Sequence, residues 1–403
     1  MKAFMAASGN AVLPTAENFS PVLGGPLFRL FLRIHLSDDD LRLVRRRAVV
    51  AALFTWLPLL LLSTFEGHLF GGGLTLPFMM DVEVHVRFLV AVPLLIGAEL
   101  MTHRRLRPAV LQFLERRLIP DSEMARFDAA VASSFRLRNS VLAEVILLVF
   151  VYGVGVLIVW RRYLALDAAT WYATPTAADM HLSVAGIWYA WVSLPIFQFL
   201  MCRWYFRLGI WAYFLWQVSR IKLNLIPAHP DRNAGLGFLA GTFCAFGLLA
   251  AAHGALVAGQ IADRIFFLGA ALPDFKMQIV ALVVIVLCIV FAPLLVFSPQ
   301  LEQAQRTGNR EYGVLAERYV REFDRKWLRG GAPADEPLVG SADIQSLADM
   351  GNSLEVVRTM RITLITTNSL LRLAVAVLVP IAPLVLTMMP LEELVKTLLG
   401  LVF

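Results

Sequence analysis

Charge is what this chain has least of. Asp, Glu, Lys and Arg make up 16% of its 403 residues and apolar residues 58%, where a soluble globular chain has about 25% and about 45–50%. Mean hydropathy is +0.68. That balance excludes a soluble enzyme or a nucleic-acid-binding domain as a description of the whole chain. Cysteine is scarce as well. Cys202, Cys244 and Cys288 all sit in apolar runs with no CxxC or Cys/His spacing, so no metal site is expected and the three read as small buried hydrophobes. The opening MKAFMAASGNAVLPTAENFSP has no apolar core of the kind a cleaved signal peptide needs. There is no nucleophile elbow, no P-loop and no pair of carboxylates at a catalytic spacing. No clear internal repeat is present either, which weighs against an inverted-repeat transporter.

What the chain does have is apolar runs near the length that crosses a bilayer, about 20 residues. They predict an all-α polytopic membrane protein with about seven spans, near 48–65, 86–101, 140–160, 183–200, 235–262, 278–297 and 369–389. The count falls to six if the last is re-entrant. The aromatic run 183–220 would be about 57 Å long as one helix, more than the roughly 30 Å of hydrocarbon. One long helix projecting from the membrane is expected, with a bend near Cys202–Arg207 as the alternative.

Between the spans the chain divides into a tail with an interfacial helix (1–36), spans 1–2 (37–101) and a helical pair (102–139). Spans 3–6 (140–297) hold a loop at 221–235, amphipathic helices fill 298–368, and span 7 with an amphipathic tail ends the chain (369–403). Ser37 to Asp40 fits a capping box for the helix entering span 1. Trp171 and Tyr172 suit a membrane interface. Tyr312, Leu315, Tyr319, Phe323 and Trp327 form one helical stripe, and Ile344, Leu347, Leu354, Val357 and Leu364 a second after the N-cap Ser341. Two such stripes need to bury each other, pack on 102–139, or meet another subunit. Homo-oligomerisation and a cytoplasmic partner for 299–368 are therefore expected.

Arginine is dense before span 1 and in 102–139, 203–232 and 299–361, and absent from 163–182. This alternation is membrane topology and not a nucleic-acid footprint. It places the N-terminus in the cytoplasm, although Arg161 and Arg162 dissent.

The most polar stretch is Ile221–Gly241, IKLNLIPAHPDRNAGLGFLAG. His229, Asp231, Arg232, Asn233, Gly235 and Gly237 are its ligand- or anion-binding candidates, since free amides at a helix start beside an arginine suit a phosphate or headgroup. His229 and Asp231 could also serve as acid and base toward a lipid headgroup. The plainer alternative is a turn, a helix cap by Asp231 or Asn233, and a Gly237-x-x-x-Gly241 packing face. Within the spans, Glu99, Glu144, Gln198 and His253 are the polar candidates. A charge at the bilayer centre costs at least about 2.5–3.5 kcal/mol, so each must face protein or water. Glu99 and Glu144 lie near cytoplasmic ends, within reach of water or arginines, and His253 suits an interhelical hydrogen bond. No second transmembrane His lies at matching depth, so haem is not indicated, and no cofactor is expected.

The tripeptide His229-Pro230-Asp231 matches that of J-domain co-chaperones, but the match covers five residues and the flanks are spans where a J-domain has a soluble hairpin. Taken with LVGSADIQSLADMGNSLEVVRTMR at 338–361 and the terminal MPLEELVKTLLGLVF, the HPDRNAGLGFL loop resembles a group of bacterial polytopic membrane proteins without assigned activity. The resemblance covers roughly the C-terminal half and implies a bacterial inner-membrane protein. It names no functional residue. A channel or transporter for ions or small anions is the leading expectation. A scaffold or sensor docking a cytoplasmic partner is next, and a headgroup-modifying enzyme last.

Overall fold

The structure is a computed structural model that describes residues 15–26, 43–71, 73–159, 170–175 and 180–388. The interfacial helix expected to follow Pro26, the Ser37–Asp40 box, Arg161, Arg162 and the tail from Pro390 lie outside the described residues. The protein is helical, with five helices long and apolar enough to cross a membrane and up to seven if two bent pairs each count once. The only sheet among the described residues is a hairpin of β1 (Ala173–Pro175) and β2 (Met180–Leu182).

In chain order the helices are α1 (Val44–Phe65), α2 (Val82–Glu115), α3 (Met124–Arg138), α4 (Val141–Gly155), α5 (Val184–Val218), α6 (Gly237–Leu268), α7 (Leu272–Leu328), α8 (Ala342–Arg358) and α9 (Thr367–Leu378). A 3-10 segment, Ala382–Met388, follows α9 at a bend of 59°, and α3 meets α4 at 46°. Spans therefore alternate between an arginine-rich end, where α1 begins and α2 and α5 finish, and a far end that carries the hairpin. Residues 102–115 continue α2 without a break, so this stretch is the projecting end of a span helix. The run 184–218 is one helix, as its length predicts.

The bundle is organised by α2 and α5, which run parallel. Both are capped at the far end by carboxylates of neighbouring helices. Asp263 of α6 accepts from the amides of Val82 and Glu83 at 2.8 and 3.0 Å, and Glu66 accepts from Val184 and Ala185 at 2.7 and 3.2 Å. Each acid satisfies orphan donors and meets the positive end of a helix dipole. Both helices then loosen into a π-helical turn, Arg87–Ala91 in α2 and Tyr189–Ser193 in α5. The sequence explains why. Pro93 and Pro195 follow closely, and a proline cannot donate to the carbonyl one turn back and clashes with it. An inserted residue relieves the clash.

The close approaches that lock the bundle use other glycines than the expected pair. Nothing lies within 4 Å of a Cβ placed on Gly241, whereas Gly254 packs on the Val377 carbonyl of α9 and Gly259 on Glu83 and Val86 of α2. Trp171 is fully buried, packed on Phe78 and Tyr189, with its Nε1 donating to Asp81 at 2.9 Å. The interfacial position expected for it is thus replaced by a core one, because the indole proton finds a buried carboxylate. The outward faces of α1, α4 and α7 are apolar and exposed, including Leu53, Phe54, Leu142, Ile146, Val149, Val280 and Val284. That is the surface of an integral membrane protein, whose solvent there is lipid.

At the arginine-rich end α7 runs on to a total of 57 residues, about 85 Å at 1.5 Å per residue, and its polar half pairs with α8. The two stripes meet only in part: Tyr319 donates to the Asp343 carbonyl at 3.1 Å and Trp327 to the Asp343 carboxylate at 2.9 Å, while Leu315 and Ile344 stay exposed. Ser341 occupies the N-cap position without a side-chain cap bond.

Candidate functional site

Two charged clusters lie on the α2–α5 pair, one at each end. At the far end, Thr75, Asp81, Glu83, Thr170, Tyr172, Tyr189, Asp263 and Arg264 help line a cavity of about 320 Å³, the size of a small-molecule site. Two of its lining residues, Glu83 and Tyr189, both accept from Arg87, which does not itself line the cavity. The Arg87 guanidinium also lies 5.6 Å from the Phe197 ring. Asp81 is held by the Val84 amide at 2.9 Å as well as by Trp171. Arg264 stacks over Phe275 at 5.9 Å. The cavity thus presents groups of both signs beside two tyrosines.

Twelve residues further along α2, about 18 Å, stands the second cluster. Glu99 is 4% exposed. It pairs with Arg47 of α1, with Arg207 of α5 at 2.8 Å and with Arg203 at 4.0 Å. Glu144 of α4 stands 3.7 Å from Arg203, and Arg207 stacks on Trp204 at 5.1 Å. Glu99 is therefore sealed from water, and of the two partners its sequence position allows, arginine is the one it has. Arg203 and Arg207 are one helical turn apart, so both reach the same carboxylate. Between the clusters, Phe88, Ala91, Leu95 and Trp204 are buried, and Trp204 donates to the Leu95 carbonyl at 3.0 Å. This apolar layer separates the two clusters.

The other candidates have local roles. Asp231 accepts from the amides of Asn233, Gly235 and Gly237 at 2.8, 3.1 and 2.9 Å. The anion at the start of α6 is thus this side chain. Burial alone would raise its pKa, but these amides and the neighbouring His229 hold it below the usual carboxylate value. His229 Nδ1 is 2.9 Å from Asp231 Oδ1. Asn233 donates to the carbonyls of Arg361 and Thr363 at 3.3 and 3.1 Å, and the Arg361 amide donates to Arg232 at 2.7 Å. Arg116 donates to the Gly235 carbonyl at 3.2 Å. Arg232, Ala234 and Gly235 all have positive φ, so the loop is a tight knot joining the ends of α2, α6 and α8.

His253 is equally accounted for. Its Nδ1 proton goes to the Leu249 carbonyl at 2.7 Å, and its Nε2 accepts from Tyr205 at 2.6 Å. Gln198 meets Gly155 of α4. No group of three or more His, Cys, Asp or Glu among the described residues could hold a metal.

Sequence reasoning missed the far-end cluster. Its signal was an arginine, Arg87, just inside an apolar run behind two acids. Compared with the models of known families, with curated proteins and with solved structures, the chain matches none.

Proposed function

We propose that this integral membrane protein transports a small charged solute. The observation that carries the reading is the 320 Å³ cavity lined in part by Glu83 and Tyr189, which Arg87 ties together, with a second buried charged cluster on the same two helices. Solute would enter the cavity, break the Arg87 contacts, and leave past Glu99, with the apolar layer keeping one end shut while the other opens. Buried charges in spans are costly and are kept where they serve a path. The π-helical turns give α2 and α5 a place to re-register. In this reading the arginine-rich end faces the cytoplasm of a bacterial inner membrane, and the exposed apolar face of α4 is where copies would meet as a homo-oligomer. The test is flux in proteoliposomes under imposed gradients of small anions, cations and zwitterions. Flux that Arg87→Gln abolishes supports transport, and no flux of any of them removes it.

One observation favours a second reading, a docking platform. The α7–α8 hairpin leaves Val314, Leu315, Val320 and Ile344 exposed at its surface. Recovery of one partner only with the intact hairpin would support that reading.

A further inference from the structure

Residues 16–25 form a strap across the junction of α3, α4 and α5. Phe19 anchors it, buried against Phe135, Trp211 and Phe214 with ring centres 6.5, 6.2 and 4.8 Å away. Beyond this anchor the strap meets arginines with its backbone. The Ser20 carbonyl accepts from Arg138 at 2.8 Å and the Gly24 carbonyl from Arg203 at 3.5 Å. The Gly25 amide donates to Asn139 at 3.1 Å. The approach depends on two glycines with φ of +140° and +94°. A Cβ at Gly24 would meet the Arg138 guanidinium, and one at Gly25 the Glu144 carboxylate. Beneath the strap is a gap of about 10 Å³, room for one water at most. Its walls include Arg138, Arg203, Arg207 and Glu144.

Among the described residues, three guanidiniums and one carboxylate line this gap. Behind it Glu99 pairs with both Arg203 and Arg207, and Glu144 with Arg203, so among these residues Arg138 is the guanidinium with no carboxylate. Arg138 has the Ser20 carbonyl, the Asn139 side chain at 3.2 Å and the Phe135 ring at 4.4 Å. A carbonyl offers a dipole where these forks accept a full charge. Guanidiniums converging from two helices match the several oxygens of a tetrahedral dianion better than a single carboxylate. The position suits such a group. Arg138 ends α3, and the apolar α4 begins at Val141 after a 46° bend, which is the level of lipid headgroups.

We propose that Arg138, Arg203 and Arg207 form a binding site for a phosphate monoester dianion, and that residues 20–25 cover it, their carbonyls standing where the phosphate oxygens would bind. The ligand is either a free phosphate or the headgroup of a phosphatidate-type lipid. The site needs no transport to exist, so it stands apart from the function proposed above.

The test uses the full chain in nanodiscs of phosphatidylcholine, with inorganic phosphate added to the buffer or phosphatidic acid added to the bilayer. Thermal unfolding and hydrogen exchange of residues 19–25 are read together. Expected are a rise in the unfolding midpoint, because a ligand that binds the folded state stabilises it, and faster exchange in the strap as it lifts. Both effects should weaken in Arg138→Lys, which keeps the charge and loses the fork, and vanish in Arg138→Gln. Gly24→Ala, which pushes the strap off Arg138, should reach half-saturation at a lower phosphate concentration. A response to phosphatidic acid alone assigns the lipid, and a response to both probes assigns the bare phosphate group. If neither probe changes the midpoint or strap exchange of the unaltered protein, the proposal is overturned, whatever the variants do. An equal response in a folded Arg138→Gln overturns it too.

Discussion

Arg87 donates a hydrogen bond to Tyr189, and each residue is the first of a π-helical turn in its own helix. Each also stands six positions before a proline, Pro93 or Pro195. The two loosened turns are thus fastened to each other beside the far-end cavity. Tyr189→Phe removes one of the acceptors of the Arg87 guanidinium while keeping the ring. Loss of an acceptor from a buried donor costs about 1–3 kcal/mol. The variant should therefore unfold at lower temperature in detergent, and its flux should change more than that of Tyr172→Phe, whose ring shares the cavity. Equal effects of the two substitutions would deny the Arg87–Tyr189 contact a special place.

Glu99 is the hub of the second cluster, and its removal should be the most damaging single change there. Glu99→Gln leaves Arg47, Arg203 and Arg207 facing a neutral amide in a buried site, and breaking a buried pair from one side costs about 3–5 kcal/mol. Removing Arg207 as well costs less, because one fewer charge is stranded. Glu99→Gln with Arg207→Met should then be more stable than Glu99→Gln alone, a non-additivity that thermal unfolding of four proteins, the native, both single variants and the double, would reveal. Additive losses would mean that Glu99 interacts with Arg207 only weakly.

Gly254 faces the backbone of Val377 so closely that a Cβ has nowhere to go. Helices in a bilayer pack through such small residues, since lipid gives them no hydrophobic reason to associate. Gly254→Leu should prise α9 from α6 and lower the unfolding midpoint in nanodiscs. Gly241→Leu, with open space around it, should leave the midpoint unchanged.

The helical class, the long α5 and the amphipathic hairpin were legible because each rests on local periodicity or run length. The cluster at Glu99 was half legible. A carboxylate inside an apolar run announces that it needs a partner, but Arg47 and Arg207 come from helices distant in sequence, and only packing brings them in. The role of Asp231 was legible as a helix cap, since a short acid just before an apolar helix is a familiar start signal. The far-end cavity was not, because Asp263 and Asp81 meet only when α6 lies against α2, and nothing periodic marks that meeting. The π-helical turns were also invisible, although the prolines that cause them were in view.

The α7–α8 hairpin holds itself together. Lys326 bridges Glu336 and Asp343 at 2.6 and 2.7 Å, and at its base Gly308 of α7 packs on Val357 of α8 and on Pro227. Exposed pairs of this kind contribute little individually. Replacing residues 312–353 with a short Gly/Ser linker should leave the thermal midpoint of the remaining protein unchanged within error, and should leave flux intact if transport resides in α2 and α5. Loss of flux with an unchanged midpoint would instead make the hairpin part of the working machinery.

Asp231 offers the cleanest pH test because its carboxylate lies outside the spans and its work is visible. Oδ1 accepts from two amides and Oδ2 from a third. Asp231→Asn must therefore turn its amide nitrogen toward at least one backbone donor, whichever way the side chain flips, at a cost of about 1–3 kcal/mol. The acid's pKa lies below its ordinary 3.8 in the folded protein, so the unfolded chain takes up a proton first as the solution is acidified. The stabilisation is then present in full above the ordinary value and is lost as pH falls from about 4 through the folded value. Asparagine does not titrate. The gap in unfolding midpoint between the native protein and Asp231→Asn should be constant near neutrality and should close as the pH falls below about 4. A gap that persists undiminished in acid would show that the loop is held by its carbonyl contacts to residues 361 and 363, with the carboxylate as a bystander.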